Sequence, residues 1–511
     1  MKIIPNCSKE FINKKILKSK IIFISILLII LSQNIFAQPM INRLVKKGLE
    51  YGYNFKWEKS EEVFQNLINR YPNDPRGYHY ESGIYLWRYV SNQNKDDFNN
   101  FVLYSDSAIA KAQDILDKHP NKIDILYTLG STYSYRAIAF IKAQKFLDAV
   151  WSSKKSESYL SETLRKDSTK YDAYLGLGLY NFAVGQIPSA FKWALSLAGI
   201  HGNEKTGLKS IKIAASKGNL AKVEAEYYLA QILSDFFADY NTSSKYLTIL
   251  TSHYPDNLLF NYSYAVLEIK KHNLNAAEKA LTIILKNNDS DFTQLISFSE
   301  FLKGDIFFKK NQFDSSEVYF LNFLNTSPSS DYKGIAAYRL AVSYEITHER
   351  TDAVKYFKLT GDGNMDLEDD IYAKRKGEIF ASRTMANTEI DAIEDDNLIQ
   401  NGKYITAFDS LSALLERVKT DRLKAEVYLY LSNASYYLGK YNESLSFALT
   451  AKVLNSDEER WIKPYACYYA ARASKKLKDK SAMQNFIDEA GKYSDFDYQS
   501  KLKNLLFALT E

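Results

Sequence analysis

Small, aromatic and proline positions recur along this chain at one fixed spacing, and such a recurrence restricts the fold more tightly than composition can. Gly48, Tyr51, Trp57, Ser60, Phe64 and Pro72 are separated by three, six, three, four and eight positions. Gly304, Phe307, Phe313, Ser316, Phe320 and Pro328 keep the same separations, as do Gln231, Ser234, Tyr240, Ser243, Leu247 and Pro255. Copies lacking the proline follow at Ala265, Glu268, Leu274, Ala277 and Leu281, at Ala341, Tyr344, Arg350, Ala353 and Phe357, and at Ser432, Ser435, Tyr441, Ser444 and Ala448.

The spacing has a mechanical meaning on two antiparallel helices. Small residues such as Gly48 and Ser60 let the helices approach closely, and steps of three and four keep Ser60 and Phe64 on one face. Large side chains then fill the gap to the next pair. The proline falls after the second helix, where a fixed φ and a missing N–H stop propagation. A lone pair cannot bury its apolar face, so neighbouring pairs must stack.

This register resembles the tetratricopeptide repeat over most of residues 40–490. The resemblance implies an all-α solenoid of antiparallel helix pairs wound into a right-handed superhelix, with a groove that binds proteins or peptides. Pairs are expected at Ile41 to Pro72, at Gly77 to His119 with the polar insert "SNQNKDDFNN" between its helices, and at Asp124 to Ser168. A fourth begins at Tyr171, and the register resumes from Ala225 to Phe357. Gly361 to Ile371 reads as an acidic loop before a helix to Met385. Pairs at Asn397 to Val418, Leu423 to Leu454 and Ile462 to Ala490 follow, and Gln499 to Leu509 reads as a capping helix. The domain reading is a signal peptide at 1–37, a helical array at 38–200 and a second at 201–511.

The amino end suggests export. Lys14, Lys15, Lys18 and Lys20 precede the uncharged run Ile21 to Leu31, and Ile35-Phe36-Ala37 has the form of a cleavage site. The expectation is a periplasmic or secreted chain with no transmembrane segment after cleavage. Taking the six lysines and one glutamate of residues 1–37 from 66 basic and 61 acidic residues leaves 60 of each. A neutral chain lacks the positive excess that counterion release from nucleic acid requires. Of the 2 cysteines only Cys467 would remain, so no internal disulfide can form and stability must come from packing.

Nothing in the spacing supports catalysis, a cofactor or a metal. "GIHGNEKT" has Glu204 where a phosphate loop needs its second glycine. "DGNMDLEDD" has Leu367 at the turn position of a calcium loop and Ala373 where the bidentate glutamate belongs, so it reads as a solvated helix start. The six histidines are scattered; His119 and His253, beside repeat-ending prolines, read as helix C-terminal caps, and Cys467 as a small core residue. With 39 Tyr and 29 Phe, most rings read as knobs between helices and the rest as groove lining, where tyrosine joins apolar area to a hydrogen-bonding tip.

One stretch leaves the register. Pro188 to Ala198 is apolar nearly all round, with Lys192 its only charge, and reads as an inserted helix filling the superhelix interior. Its flanks resemble the inclusion-body clearance family of tetratricopeptide-repeat proteins. Gly178, Leu179, Tyr180 and Asn181 match that family's first phrase, Pro188 its proline, and Gly202, Gly207 and Leu208 its last phrase. Tyr180, Phe182, Phe191 and Trp193 are the candidate partner-binding residues, with contact to a membrane surface as a further role. The expected function is a non-catalytic protein-binding scaffold of the bacterial cell envelope, the alternative a glycan- or lipid-handling envelope component. The oligomeric state is left open.

Overall fold

The computed structural model describes residues 39–186, 199–287 and 292–510, and among them every regular element is helical, with no strand. The helices are α1 (39–53), α2 (Trp57–Arg70), α3 (Pro75–Asn92), α4 (Lys95–Lys118), α5 (Ile123–Lys142), α6 (Phe146–Lys166), α7 (Ala173–Gly185) and α8 (Glu204–Lys217). There follow α9 (Lys222–Asp235), α10 (Tyr240–His253), α11 (Leu258–Lys270), α12 (Leu274–Leu285), α13 (Thr293–Lys309), α14 (Phe313–Thr326), α15 (Lys333–Ile346) and α16 (Arg350–Leu359). The last are α17 (Glu368–Ser382), α18 (Asn387–Gln400), α19 (Tyr404–Arg417), α20 (Asp421–Tyr437), α21 (Tyr441–Val453), α22 (Ile462–Lys476), α23 (Lys480–Ala490) and α24 (Gln499–Thr510). The chain packs as two compact units, one of Asn94–Gly176 with the described residues through Tyr89, the other of Leu177–Glu511 with Val90–Gln93.

In the first unit the repeat residues do what their spacing requires. The Ser60 hydroxyl donates to the Gly48 carbonyl at 2.7 Å, across the α1–α2 pair. A Cβ on Gly48 would stand 2.3 Å from the Phe64 ring, so only glycine admits that ring. Phe64 in turn stacks on Tyr80 of the next pair, with centroids 5.7 Å apart. The expected polar insert is almost wholly helical: only Gln93 and Asn94 separate α3 from α4, and the Asn94 side chain caps α4 by accepting from the Asp96 N–H at 2.7 Å. A cap satisfied by its own first residues suits a tight turn better than a loop.

The second unit repeats the arrangement. A Cβ on Gly304 would lie 2.8 Å from the Phe320 ring; the Ser243 hydroxyl donates to the Ala230 carbonyl and that of Ser432 to the Ser444 carbonyl, both at 2.8 Å. Phe301, Phe320, Phe323, Phe357 and Phe380 join one buried cluster that passes from pair to pair. Pro255 and Pro328 follow the ends of α10 and α14, as Pro72 follows α2. α18 is a complete helix where the sequence reading placed only its end, and the acidic start of α17 is only partly solvated: Asp366 is exposed and Glu368 and Asp369 are half-buried. Asp370 is fully buried and accepts from the N–H groups of Tyr332, Ile335 and Asn364, each at 2.9 Å.

The turns inside the pairs share one device. The second residue from the end of each lies in the left-handed region: Phe55 and Gln144 in the first unit, Ala238, His272, Asn311, His348, Gly402, Gly439 and Lys478 in the second. The N–H that follows bonds back to the first helix, as from Lys56 to the Tyr51 carbonyl and from Lys440 to the Ser435 carbonyl, both at 2.9 Å. This is the six-to-one closure that ends a helix and reverses the chain. Only two of those residues are glycine.

Gly439, with a φ of 77° and nothing within 4 Å of a built Cβ, isolates the backbone contribution. Gly439→Ala is expected to lower the unfolding free energy by about 1 kcal/mol. Gly48→Ala, which must displace Phe64, is expected to cost about 3 kcal/mol. Urea titrations of both variants followed by circular dichroism check the order.

Candidate functional site

In the second unit α13, α15, α17, α18, α20, α22 and α24 together line a cavity of about 320 Å³. Its wall is tyrosine and charge rather than aliphatic carbon. Tyr338, Tyr372, Tyr430, Tyr465 and Tyr469 line it beside Asp305, Lys309, Arg339, Lys376, Asp396 and Arg422. A helix facing water inside a coil and core on its flanks can carry such residues, because their tips stay hydrated while their rings and stems pack.

Ion pairs hold most of these charges in place. Asp305 meets Lys309 at 2.8 Å and Arg339 at 2.6 Å, and Glu389 meets Arg383 at 2.7 Å and Arg422 at 2.5 Å. Burial alone would push the Glu389 carboxyl up, but the Arg383 side chain, the Ala386 N–H and Arg422 outweigh it and bring the group to about 2. Glu459 is likewise opposed by burial and held below its usual range by Lys376 and Arg375. Asp396 is the contrast. Burial raises it to about 6, and a Gln400 hydrogen bond and distant lysines only partly offset that.

The last helix lies along this inward side rather than only covering the end of the stack. The Glu368 carboxylate accepts the N–H groups of Ser500 at 2.6 Å and Lys501 at 3.2 Å, and so caps the positive end of α24 from α17. Arg375 grips Asp497 at 2.6 Å, Tyr372 packs on Tyr498 at 5.3 Å, and at the far end Phe507 meets Phe237 at 5.8 Å. Lys501 lines the cavity, and the surrounding protein lowers its pKa; Asp369 opposes that shift, and Lys309, Lys270 and Arg339 add to it.

A second aromatic assembly lies on α20 and α22. The Arg472 guanidinium stands 3.8 Å from the Tyr436 ring centroid, 4.7 Å from that of Tyr469, and 5.6 Å from those of Tyr437 and Tyr468, while donating to Asn433 at 2.8 Å. Tyr437 stacks on Tyr404, whose hydroxyl lies 3.1 Å from His272 Nδ1. Sequence reasoning missed this cluster. Its tyrosines are spread over three pairs, and no spacing rule joins them.

Of the four sequence-predicted contact residues, Tyr180 and Phe182 are buried at 9% and 5% exposure, and Phe182 packs on Phe236 at 5.1 Å and Phe237 at 6.3 Å. Phe191 and Trp193, with the inserted helix 188–198, lie outside the described residues. The glycines around that segment have a clear task. A Cβ on Gly178 would stand 2.5 Å from Ile211, and one on Gly207 would stand 2.5 Å from the Phe182 backbone nitrogen. The α7–α8 contact is therefore backbone against backbone. His119 caps α4 and His253 Nδ1 lies 2.9 Å from the Ile249 carbonyl, as expected of C-terminal caps. Cys467 is fully buried, and burial pushes its thiol up to about 12. Among the described residues no group of three or more His, Cys, Asp or Glu could hold a metal, and no helix is long and apolar enough to cross a membrane.

Comparison with known proteins adds a family. The family model described as Iml2/Tetratricopeptide repeat protein 39 matches residues 127–393. The chain is 25% identical over 276 residues to the DnaJ homolog subfamily C member 3 of Gallus gallus, covering 54% of this chain and 48% of that protein. It thus spans about half the length of the curated relative it matches. Among solved structures it is similar to yeast Tom70, at 14% identity with 93% of this chain and 96% of that chain covered and a TM-score of 0.25. The TPR domain of P58(IPK) shows 13% identity, with 74% and 94% covered and a TM-score of 0.22. The family and the chicken relative correct the expectation of a periplasmic or secreted protein: that relative is eukaryotic and not a protein of a bacterial envelope. The amino-terminal stretch on which that expectation rested lies outside the described residues.

Two measurements check the site. Phe182→Ala is expected to destabilise the protein by about 3–5 kcal/mol in urea titration, the cost of emptying a buried aromatic position. Glu389, whose pKa falls from 4.5 to about 2 on folding, contributes stability above pH 4.5 that is lost as pH drops toward 2. Glu389→Gln is expected to remove that part of the acid dependence, read from melting temperatures across the window.

Proposed function

Because the chain belongs to the Iml2/Tetratricopeptide repeat protein 39 family, we propose that it is a scaffold that binds a protein segment on the inward side of the unit formed by Leu177–Glu511 and catalyses no reaction itself. The observation that carries this reading is the cavity wall, in which tyrosines and paired charges from successive first helices face one opening. Tyrosine gives a large contact area at low rotamer cost and a hydroxyl for the partner's backbone, and it is over-represented where binding energy concentrates. Stacked repeats supply such surfaces because every pair adds one more inward face at a fixed pitch.

The ligand chemistry follows from the wall. Asp396, like Asp369 on the same wall, is not clamped by an arginine or lysine in a close ion pair, whereas Asp305 and Glu389 are each held by two cations. A basic side chain on an otherwise apolar or aromatic peptide suits it, and such a pair would favour the ionised form of Asp396. α24 supports the fit of a helix: the same side already takes one, capped at its amino end by Glu368.

The test uses the full chain immobilised against a displayed peptide library, with selected peptides then titrated by fluorescence anisotropy. Peptides with a basic residue are expected to dominate, and Asp396→Asn and Tyr430→Ala are each expected to weaken them about tenfold, with unchanged far-ultraviolet circular dichroism. Equal affinity for the wild type and both variants would sink the proposal.

A further inference from the structure

Exposed large apolar side chains of the second unit lie singly or in twos, such as Leu449 with Val453, but five of them gather within eleven residues of the first. Ile141 is 55% exposed, Phe146 65%, Leu147 88%, Val150 48% and Trp151 53%. They sit where α5 ends and α6 begins. The start of α6 is built inside out. Its buried face carries Ala149, Ser152 and Ser156, small enough to lie close against α5, where the Ser156 hydroxyl meets that of Ser134 at 2.6 Å. Its outward face, in steps of three and four, carries Leu147, Val150 and Trp151.

The charges around this patch are one-sided. Residues 141–155 hold four lysines, Lys142, Lys145, Lys154 and Lys155, against the single acid Asp148. Lys155 lies over the Trp151 ring at 5.6 Å and Lys145 over that of Phe98 at 4.9 Å, so both stems skirt the apolar area with their charge at its rim. Trp151 is fixed edge-on to Tyr133, with centroids 5.4 Å apart, and keeps its outer half bare. The charged groups next to it on α4 and α5, Asp106 and Arg136, pair with one another.

We propose that this corner of α5 and α6 is a membrane-surface contact that lays Phe146, Leu147, Val150 and Trp151 into the headgroup boundary of an anionic bilayer. Apolar and aromatic side chains with a lysine rim are the composition that partitions there, and each lysine adds attraction to anionic headgroups. A protein partner would require an acidic, concave apolar surface to match; a bilayer offers negative charge and an adaptable apolar interior together. No helix of the described residues is long and apolar enough to cross the bilayer, so the contact is superficial. The inference is independent of the peptide-binding reading, which concerns the other unit.

The experiment is sedimentation of the full chain with vesicles of phosphatidylcholine alone or with about a third phosphatidylserine, at low and at physiological salt. Binding is expected with the anionic vesicles only, and weaker at higher salt. Leu147→Asp with Val150→Asp is expected to abolish it, while Lys142→Gln with Lys154→Gln should weaken it about thirtyfold. Trp151→Phe should remove part of the vesicle-induced blue shift in tryptophan emission. All substituted positions are exposed, so circular dichroism and melting temperature are expected to match the wild type. Three results would overturn the proposal: no sedimentation with anionic vesicles, binding that survives the double aspartate variant, or a vesicle-free dimer that this variant dissolves, which would give the patch to a second copy.

Discussion

Everything in this molecule depends on how closely the two helices of a pair can approach. Gly48 against Phe64, Gly304 against Phe320 and the serine hydroxyls bonded to the facing helix's carbonyls set that distance. Once it is set, the large residue of one pair reaches the next, and in the second unit the buried aromatic cluster passes from pair to pair. The α7–α8 pair carries the same principle to its limit, since Gly207 lies against the Phe182 backbone and Gly178 against Ile211, with no room for a Cβ on either. That is a physical reason for the glycine phrases on either side of the inserted segment.

Close pairing also dictates where chemistry can sit. The second helix of a pair packs against its partner and its neighbours, while several first helices of the second unit turn side chains toward the cavity. Those faces collect tyrosines and charges, and because they are neither fully wet nor fully dry, the charges fall into two kinds. Glu389 and Glu459 are held ionised by two cations each, whereas Asp396, with no such clamp, rises toward neutrality. One wall thus presents both a rigid electrostatic frame and a group that responds to what enters.

The pairing was legible in the sequence because close approach demands small residues at fixed intervals, and that demand appears directly as Gly48, Ser60 and their equivalents. The last helix was legible as a helix but not in its position, which depends on Glu368 and Arg375, more than a hundred residues away in the chain. The turn residues were not legible, since His272, His348 and Lys478 adopt a left-handed backbone that only a six-to-one bond makes worthwhile, and nothing in their chemistry announces it. α18 was half missed because "NTEIDAIEDDNLIQ" buries Glu389, Asp395 and Asn397 along with its apolar residues. Tyr180 and Phe182 looked like contacts in an irregular stretch and are core, because irregularity in sequence reports an insertion and not which side chains face out. At the start of α6 the inward face is the one made of alanine and serine, so the rule that bulk marks the core points the wrong way there.

The turns inside the pairs are nearly all three residues long, whereas the connections between pairs run from the three residues between α19 and α20 to the eight between α16 and α17. A six-to-one bond fixes the number of residues it can enclose, so a gain or loss of chain there would unseat the second helix, while the opposite edge can absorb it. Length variation is thereby quarantined to one rim of the stack, and the pitch of the inward faces is insulated from it. The gap between α7 and α8 is the exception, and there the glycine contact takes over from the turn the job of keeping the two helices in step.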